Sequence, residues 1–346
     1  MRDADGGRQK VPLAVWYPVD SEKDCVTSEA AVYSHRISVA KIARVLLNLG
    51  AAPPTWIDKD MSLRADSRII SGKEVDRPVP KERAKAVVLC HGYLGSRFDL
   101  LDFAEELSKA GFVVAAPEFA ESLSEPKIMP NYERPGAKGQ PKGAGASRPE
   151  ILAGTLKFLS DRFGVSQSGV ALLGHSAGAG TVSKAEGKFA ARIPIAGFFG
   201  ENPDIKNDPL LVIASEGDNV ISLYPKDSGA FGPQKGIASE VKSLGLDVEE
   251  FDGNSSSSLS KLSDSSPPPT KAFIKYTGAG SPCHISFLSS RTNDGMVTAL
   301  APLLPLARLL KIPLLDFDVY ESTRDSDKVL KELVPAVSAW LVSVTK

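Results

Sequence analysis

Histidine and cysteine are scarce in this chain, four of the first and three of the second among 346 residues. Cys25, Cys90 and Cys283 cannot make the disulfide framework of a small secreted domain. One bridge is the most they allow, and a reduced compartment suits them better. No Cys/His spacing of the kind that ligates zinc is present, so no metal is expected. An excess of one charge is also lacking. Lys and Arg number 41 against 42 Asp and Glu, a net charge of −1, which leaves no electrostatic case for nucleic acid or for an anionic membrane. The opening Met1-Arg2-Asp3-Ala4-Asp5-Gly6-Gly7 has no apolar core segment, so no secretory signal is visible. An intracellular protein, or one trimmed of its targeting segment, is expected, and the compartment stays open. The leucine-rich stretch 296–315 is interrupted by Pro302, Pro305 and Pro313 and does not read as a membrane helix. No internal repeat is apparent.

What is present is an ordinary globular composition, 42% hydrophobic and 24% charged, in which apolar strands alternate with amphipathic helices. That alternation predicts a mostly parallel central sheet with helices on both faces. Strands are expected at 11–17, 67–71, 86–90, 112–116, 169–173, 192–198, 210–215 and 271–276, the first two as antiparallel openers. Helices are expected at 98–110 and 149–163, each stopped by a glycine (Gly111, Gly164). A last helix capped by Thr323 would put Val329, Leu330, Leu333, Val337, Trp340 and Leu341 on the sheet. The chain reads as a single domain with four additions to a minimal sheet. These are an apolar insertion near 38–66, with a helix over 39–49, a mobile loop over 121–148, a Ser/Pro-rich insertion over 253–270 read as disordered, and the apolar segment 296–315.

The most telling stretch is Gly174-His175-Ser176-Ala177-Gly178, which directly follows the apolar run 169–173 and precedes Ala179-Gly180-Thr181. A strand, a sharp turn with a serine at its apex and a helix make a nucleophile elbow, where small neighbours avoid a clash and the hydroxyl stands at a helix N-terminus. The pentapeptide alone is common by chance, so the partners must carry the reading. A serine hydroxyl needs a base, usually histidine. Of the four histidines, His175 is adjacent to Ser176 and turned away, His91 belongs to a glycine motif with another role, and His35 precedes the sheet core. His284 remains, in a loop after the last strand. Asp218, in the polar turn that ends 210–215, is the candidate carboxylate to orient it, with Glu216, Glu201 and Asp204 as rivals. The order Ser176, Asp218, His284 suits this architecture. An oxyanion needs donors, for which the Ala177 and Tyr93 amides are candidates, the second in His91-Gly92-Tyr93-Leu94-Gly95-Ser96 after strand 86–90. Leu94 and His175 are candidates for substrate contact.

At these residues the chain resembles the α/β-hydrolases over nearly its whole length. Within that superfamily it is similar to platelet-activating-factor-acetylhydrolase and dienelactone-hydrolase-like esterases. The resemblance rests on Val15-Trp16-Tyr17-Pro18, the His91–Ser96 loop, Gly111-Phe112-Val113-Val114-Ala115-Ala116-Pro117 and the Gly174–Gly178 elbow. The stretch 209–220 also resembles the acid loop of cutinase-like polyester hydrolases, and chlorophyllases are similar at the same points. Two departures stand out. No aspartate directly follows Phe198, where some acetylhydrolase relatives carry their acid, and the Ser/Pro insertion is unlike compact members.

The resemblance implies a serine esterase that works through an acyl-enzyme on a carboxylic ester and needs no metal or organic cofactor. Segments 39–49 and 296–315 suggest a small hydrophobic, lipid-like ester, whose acyl or alcohol pocket they would wall. Packing of both as ordinary core, or weak contact with a lipid surface, are the other readings. Three further functions compete: a chlorophyllase-like enzyme that releases an isoprenoid alcohol from a pigment ester, a non-catalytic ligand-binding protein on the same fold, and acyl transfer to an alcohol. Oligomeric state is left open.

Overall fold

The structure is a computed structural model, and it describes residues 11–18, 31–38, 59–65, 85–122, 146–227, 233–294, 302, 305, 309 and 326–345. Among the described residues ten strands run β1 Leu13–Trp16, β2 Ala31–Ile37, β3 Lys59–Ala65, β4 Ala86–Cys90, β5 Val113–Pro117, β6 Val170–His175, β7 Ala191–Ile195, β8 Leu210–Ser215, β9 Glu249–Asp252 and β10 Lys271–Tyr276. Eight of them form one sheet in the order β1-β5-β4-β6-β7-β8-β10-β9. Its only antiparallel pair is β1 with β5, and the rest run parallel. β2 and β3 pair antiparallel with each other as a separate two-stranded sheet. The helices that lie within the described residues are α1 Leu101–Lys109, α2 Arg148–Phe163, α3 Ala177–Lys184, α4 Ile237–Ser243, α5 Ser256–Asp264 and α6 Ser326–Val344. This is the α/β-hydrolase fold, a mostly parallel sheet with helices on both faces.

The apolar runs are central strands because both of their faces are covered. In β4, Val87 and Leu89 join a core that includes Leu101 of α1, Leu259 of α5 and Trp340 of α6. Ala86, Val88 and Cys90, pointing the other way, join Ile151 and Leu159 of α2 and Val182 of α3. α4 covers β8 and β10 through Ile237 and Val241, against Val212 and Phe273. The strand ends are level. Cys90 lies opposite Gly174, and His175 opposite Ile195. Every loop after a parallel strand therefore opens at one sheet edge, where open α/β sheets bind their ligands.

The Ser/Pro-rich insertion is ordered over the described residues, contrary to its composition. Ser255 caps α5 by accepting the Ser258 N–H. Leu259 and Leu262, three apart, sit on one face and are buried. The Trp340 indole N–H of α6 donates to the Pro269 carbonyl at 2.8 Å. Two well-placed leucines anchor a helix that the surrounding serines conceal. The strand over 249–252, at the sheet edge beyond β10, is likewise absent from the sequence expectations. The expected helix over 39–49, strand 67–71, most of the loop 121–148, the cap Thr323 and most of 296–315 lie outside the described residues. The last helix does bury Val329, Leu330, Leu333, Val337, Trp340 and Leu341 as its spacing predicts.

Candidate active site

Three non-glycine residues among those described have positive φ: Leu94 (58°), Ser176 (55°) and Ala196 (50°). Each lies just beyond the end of one of the neighbouring strands β4, β6 and β7. Such conformations cost about 1–3 kcal/mol each and persist where the surroundings impose them, often at functional sites. Their convergence on one edge marks the same place as the sequence motif.

Ser176 sits at the apex of the strand–helix turn with φ 55° and ψ −117°, immediately before α3. Its N–H donates to the Ile195 carbonyl at 2.9 Å, and its carbonyl accepts from Gly180 at 3.1 Å. The flanking glycines are steric necessities. A Cβ on Gly174 would lie 2.4 Å from the Gly178 oxygen, and one on Gly178 would lie 1.9 Å from the Cys90 oxygen. As the first residue of α3, Ala177 has an amide without an intrahelical acceptor. Burial pushes the neighbouring Cys90 thiol up to about 12, so it does not compete as a nucleophile.

The structure brings Asp218 and His284 together. The His284 Nδ1 is 2.8 Å from Asp218 Oδ2, and Asp218 Oδ1 accepts the Val220 and Ile221 amides at 2.8 and 2.9 Å. Asp218 is 3% exposed and His284 7%. Their loops interlock because Gly217 has no side chain: a Cβ there would lie 2.4 Å from the Ser281 oxygen. The Ser215 hydroxyl ties the two loops by donating to the Pro282 carbonyl at 2.6 Å. The rival carboxylates have other uses. Glu216 accepts the Gly278 N–H, Asp204 accepts the Gly187 N–H, and Glu201 is exposed.

His175 links this pair to the elbow. It is 3% exposed, and its Nε2–H donates to the His284 carbonyl at 2.8 Å. The two imidazole rings lie 4.7 Å apart. Burial, with His284 beside it, holds His175 well below its ordinary range, so it stays neutral. This packs His175 against His284. The Ser176 hydroxyl takes no hydrogen bond among the described residues, so the link from serine to imidazole is open, as it often is in apo sites.

Tyr93 and Leu94 lie in the loop after β4, both half-buried. That loop passes close over the elbow: a Cβ on Gly92 would lie 3.3 Å from Ser176 Cβ and 3.2 Å from His175 Nδ1. Charges that sequence reasoning missed surround it. Glu118, fully buried just after β5, pairs with Arg97. The Phe119 N–H donates to His91 Nε2 at 2.8 Å, so Nδ1 carries the ring proton and donates to the Gly92 carbonyl at 2.8 Å. Asp99 accepts the Ser96 N–H and hydroxyl at 3.0 and 2.9 Å, yet burial pushes its carboxyl up to about 7. Arg148, the first residue of α2, pairs with Glu121 and reaches the same loop. Position just after a strand was the one available signal for Glu118. Arg148 had none, because its partners are distant in sequence.

A cavity of about 680 Å³ extends along α2 and α3 from Ala177, walled by Leu152, Leu156, Phe189 and Phe199.

No family model matches the sequence, and no match is found among curated proteins. Solved structures give likenesses at low identity. A ferulic acid esterase from Streptomyces cinnamoneus is 15% identical, over 99% of this chain and 85% of its own, with a TM-score of 0.46. A Pyrococcus furiosus esterase is 12% identical over 78% and 88% of the two chains, with a TM-score of 0.35. A lidless α/β serine hydrolase from Xanthomonas campestris is 12% identical over 75% and 87%, with a TM-score of 0.32.

Proposed function

We propose that this protein is a serine carboxylic-ester hydrolase. The observation that carries the reading is the Asp218–His284 pair, 2.8 Å apart, joined through His175 to a serine held at φ 55° on a strand–turn–helix elbow. With Nδ1–H engaged by Asp218, His284 Nε2 offers a lone pair. It takes the Ser176 proton as Oγ attacks the ester carbonyl carbon. The carbonyl π pair moves to oxygen, and the Tyr93 and Ala177 amides hold that oxyanion. The intermediate collapses, the C–O bond to the alcohol breaks, and His284-H⁺ protonates the leaving alkoxide. Water then repeats the sequence on the acyl-enzyme, releasing acid and restoring Ser176. No step calls for a metal or an organic cofactor.

The apolar cavity that Ala177 helps to line supports an ester with a hydrophobic acyl or alcohol group, and Leu94 is kept as a candidate for substrate contact. The protein is wild type in one arm of the test and Ser176→Ala in the other. An alkyl fluorophosphonate should label the first and not the second, and p-nitrophenyl ester hydrolysis should fall at least about 10³-fold in the variant. A wild type that resists labelling and hydrolyses no ester of a panel spanning chain length, phospholipids and pigment esters overturns the reading. That result favours the second reading, a ligand-binding protein on a hydrolase fold. Trapping the acyl group with added alcohol separates hydrolysis from acyl transfer.

A further inference from the structure

Arg148 opens α2, yet its guanidinium reaches across to the Ser176 site. Its Nη2 donates to two successive carbonyls of the loop after β4, His91 at 2.9 Å and Gly92 at 3.2 Å. Its Nη1 donates to the Thr181 hydroxyl of α3 at 3.1 Å, and Thr181 in turn donates to the Ala177 carbonyl at 3.2 Å. The guanidinium pairs with Glu121, itself 4% exposed, and lies over the Phe119 ring at 4.2 Å from its centroid.

The Gly92 carbonyl belongs to the peptide unit whose other end is the Tyr93 N–H. A trans peptide is planar, so its N–H points opposite its C=O. Fixing the Gly92 oxygen therefore aims the Tyr93 N–H. Three donors converge on that oxygen: Arg148, the His91 imidazole at 2.8 Å and the Gly95 N–H at 3.2 Å. A guanidinium on the carbonyl also draws electron density toward oxygen and leaves the N–H more positive, which strengthens it as a donor to an anion.

We infer that Arg148 is the positioning residue of the oxyanion hole, one side chain that sets the Gly92–Tyr93 peptide against the α3 terminus carrying Ala177. The inference rests on the reading of Ser176 as nucleophile. Arg148 touches no reacting atom. It acts through the two amides, so its removal should weaken binding of the transition state while sparing the ground state.

Substituting Arg148 alone would strand the Glu121 carboxylate, so the test uses Arg148→Met/Glu121→Gln together with Arg148→Lys. In the double variant kcat for a p-nitrophenyl ester should fall about 100-fold with KM within about twofold, as expected for a weakened oxyanion donor. Affinity for a trifluoromethyl ketone should fall in parallel, while affinity for the matching methyl ketone holds. The Arg148→Lys variant keeps the charge and an N–H donor group but loses the planar fork, and its kcat should stand about tenfold above that of the double variant. The pH profile should keep its midpoint, because the Asp218–His284 relay is untouched. A folded double variant with kcat within threefold of wild type, or with a raised KM and unchanged kcat, overturns the inference. Loss of the fold in both variants assigns Arg148 to stability and overturns it too. A wild type inert to fluorophosphonate fails before any Arg148 variant is compared, and takes down the esterase reading with it.

Discussion

The wall of the site that carries Asp218 and His284 is held mostly by neutral groups, whereas the wall that carries Tyr93 is held by ion pairs. On the first, a serine hydroxyl, backbone amides and a neutral imidazole fix the two loops, with one carboxylate, Glu216, at its rim. On the second, Arg97–Glu118 and Arg148–Glu121 surround the loop after β4. The difference has a physical logic. In the mechanism we propose, His284 gains and loses a proton in each cycle, and a fixed cation beside it would oppose the charged form. In the same proposal the loop after β4 keeps its charge throughout, so permanent charges can hold it ready without reorganising during the reaction. On that proposal one wall accommodates moving charge and the other supplies standing charge.

The largest effects should come from the relay wall. Asp218→Asn keeps the shape but offers an amide to His284 Nδ1, which favours the tautomer that cannot accept the serine proton. A fall in kcat of about 10³–10⁴ is expected from steady-state assays at neutral pH. A loss below tenfold would break the division, since the carboxylate would then be dispensable. Next comes the seam where the walls meet. Gly178→Ala brings a Cβ to 1.9 Å from the Cys90 carbonyl, which forces α3 away from the end of β4. Destabilisation of about 1–3 kcal/mol by denaturant melt is expected, with activity lost alongside. Unchanged stability would show that the two can part freely.

The two walls also differ in how far the sequence reveals them. The residues of the wall that carries Asp218 and His284 were legible because their requirements are local. Gly174 and Gly178 sit beside the serine they permit, and Asp218 and His284 each lie in the loop after an apolar strand, in the expected chain order. The standing charges were hidden because each partner is an ordinary surface residue type, and only the fold joins Arg97 to Glu118 or Arg148 to His91 and Thr181. Arg192 shows the same limit. It is fully buried in β7, pairs with Asp208 at 2.7 Å and donates to the Val182 and Ala185 carbonyls where α3 ends, and nothing near it in sequence suggests this. Composition misled at α5, where two buried leucines outweigh a run of serines. The central strands were easy for the opposite reason: burial on both faces leaves an apolar signature that needs no partner to be read.

The smallest effects sharpen the comparison through pH, because the walls should respond with opposite sign. His175, on the relay wall, has its folded pKa held well below 6.5. Below about pH 6.5 the unfolded chain takes a proton that the buried ring refuses, so this group costs stability as pH falls. Asp99, on the oxyanion wall, has its carboxyl raised from 3.8 to about 7. Between those values the folded chain holds a proton that the unfolded chain has released, so this group costs stability as pH rises, and the loss levels off above about 7. The slope from either is at most about 1.4 kcal/mol per pH unit, the limit for one proton. Thermal melts from pH 4 to 8 should therefore separate them. Asp99→Asn should remove a decline toward neutral pH, and His175→Gln should remove a decline toward acid. If both variants flatten the same limb, the walls do not differ in the sign of their buried titrations, and the contrast between moving and standing charge loses its footing.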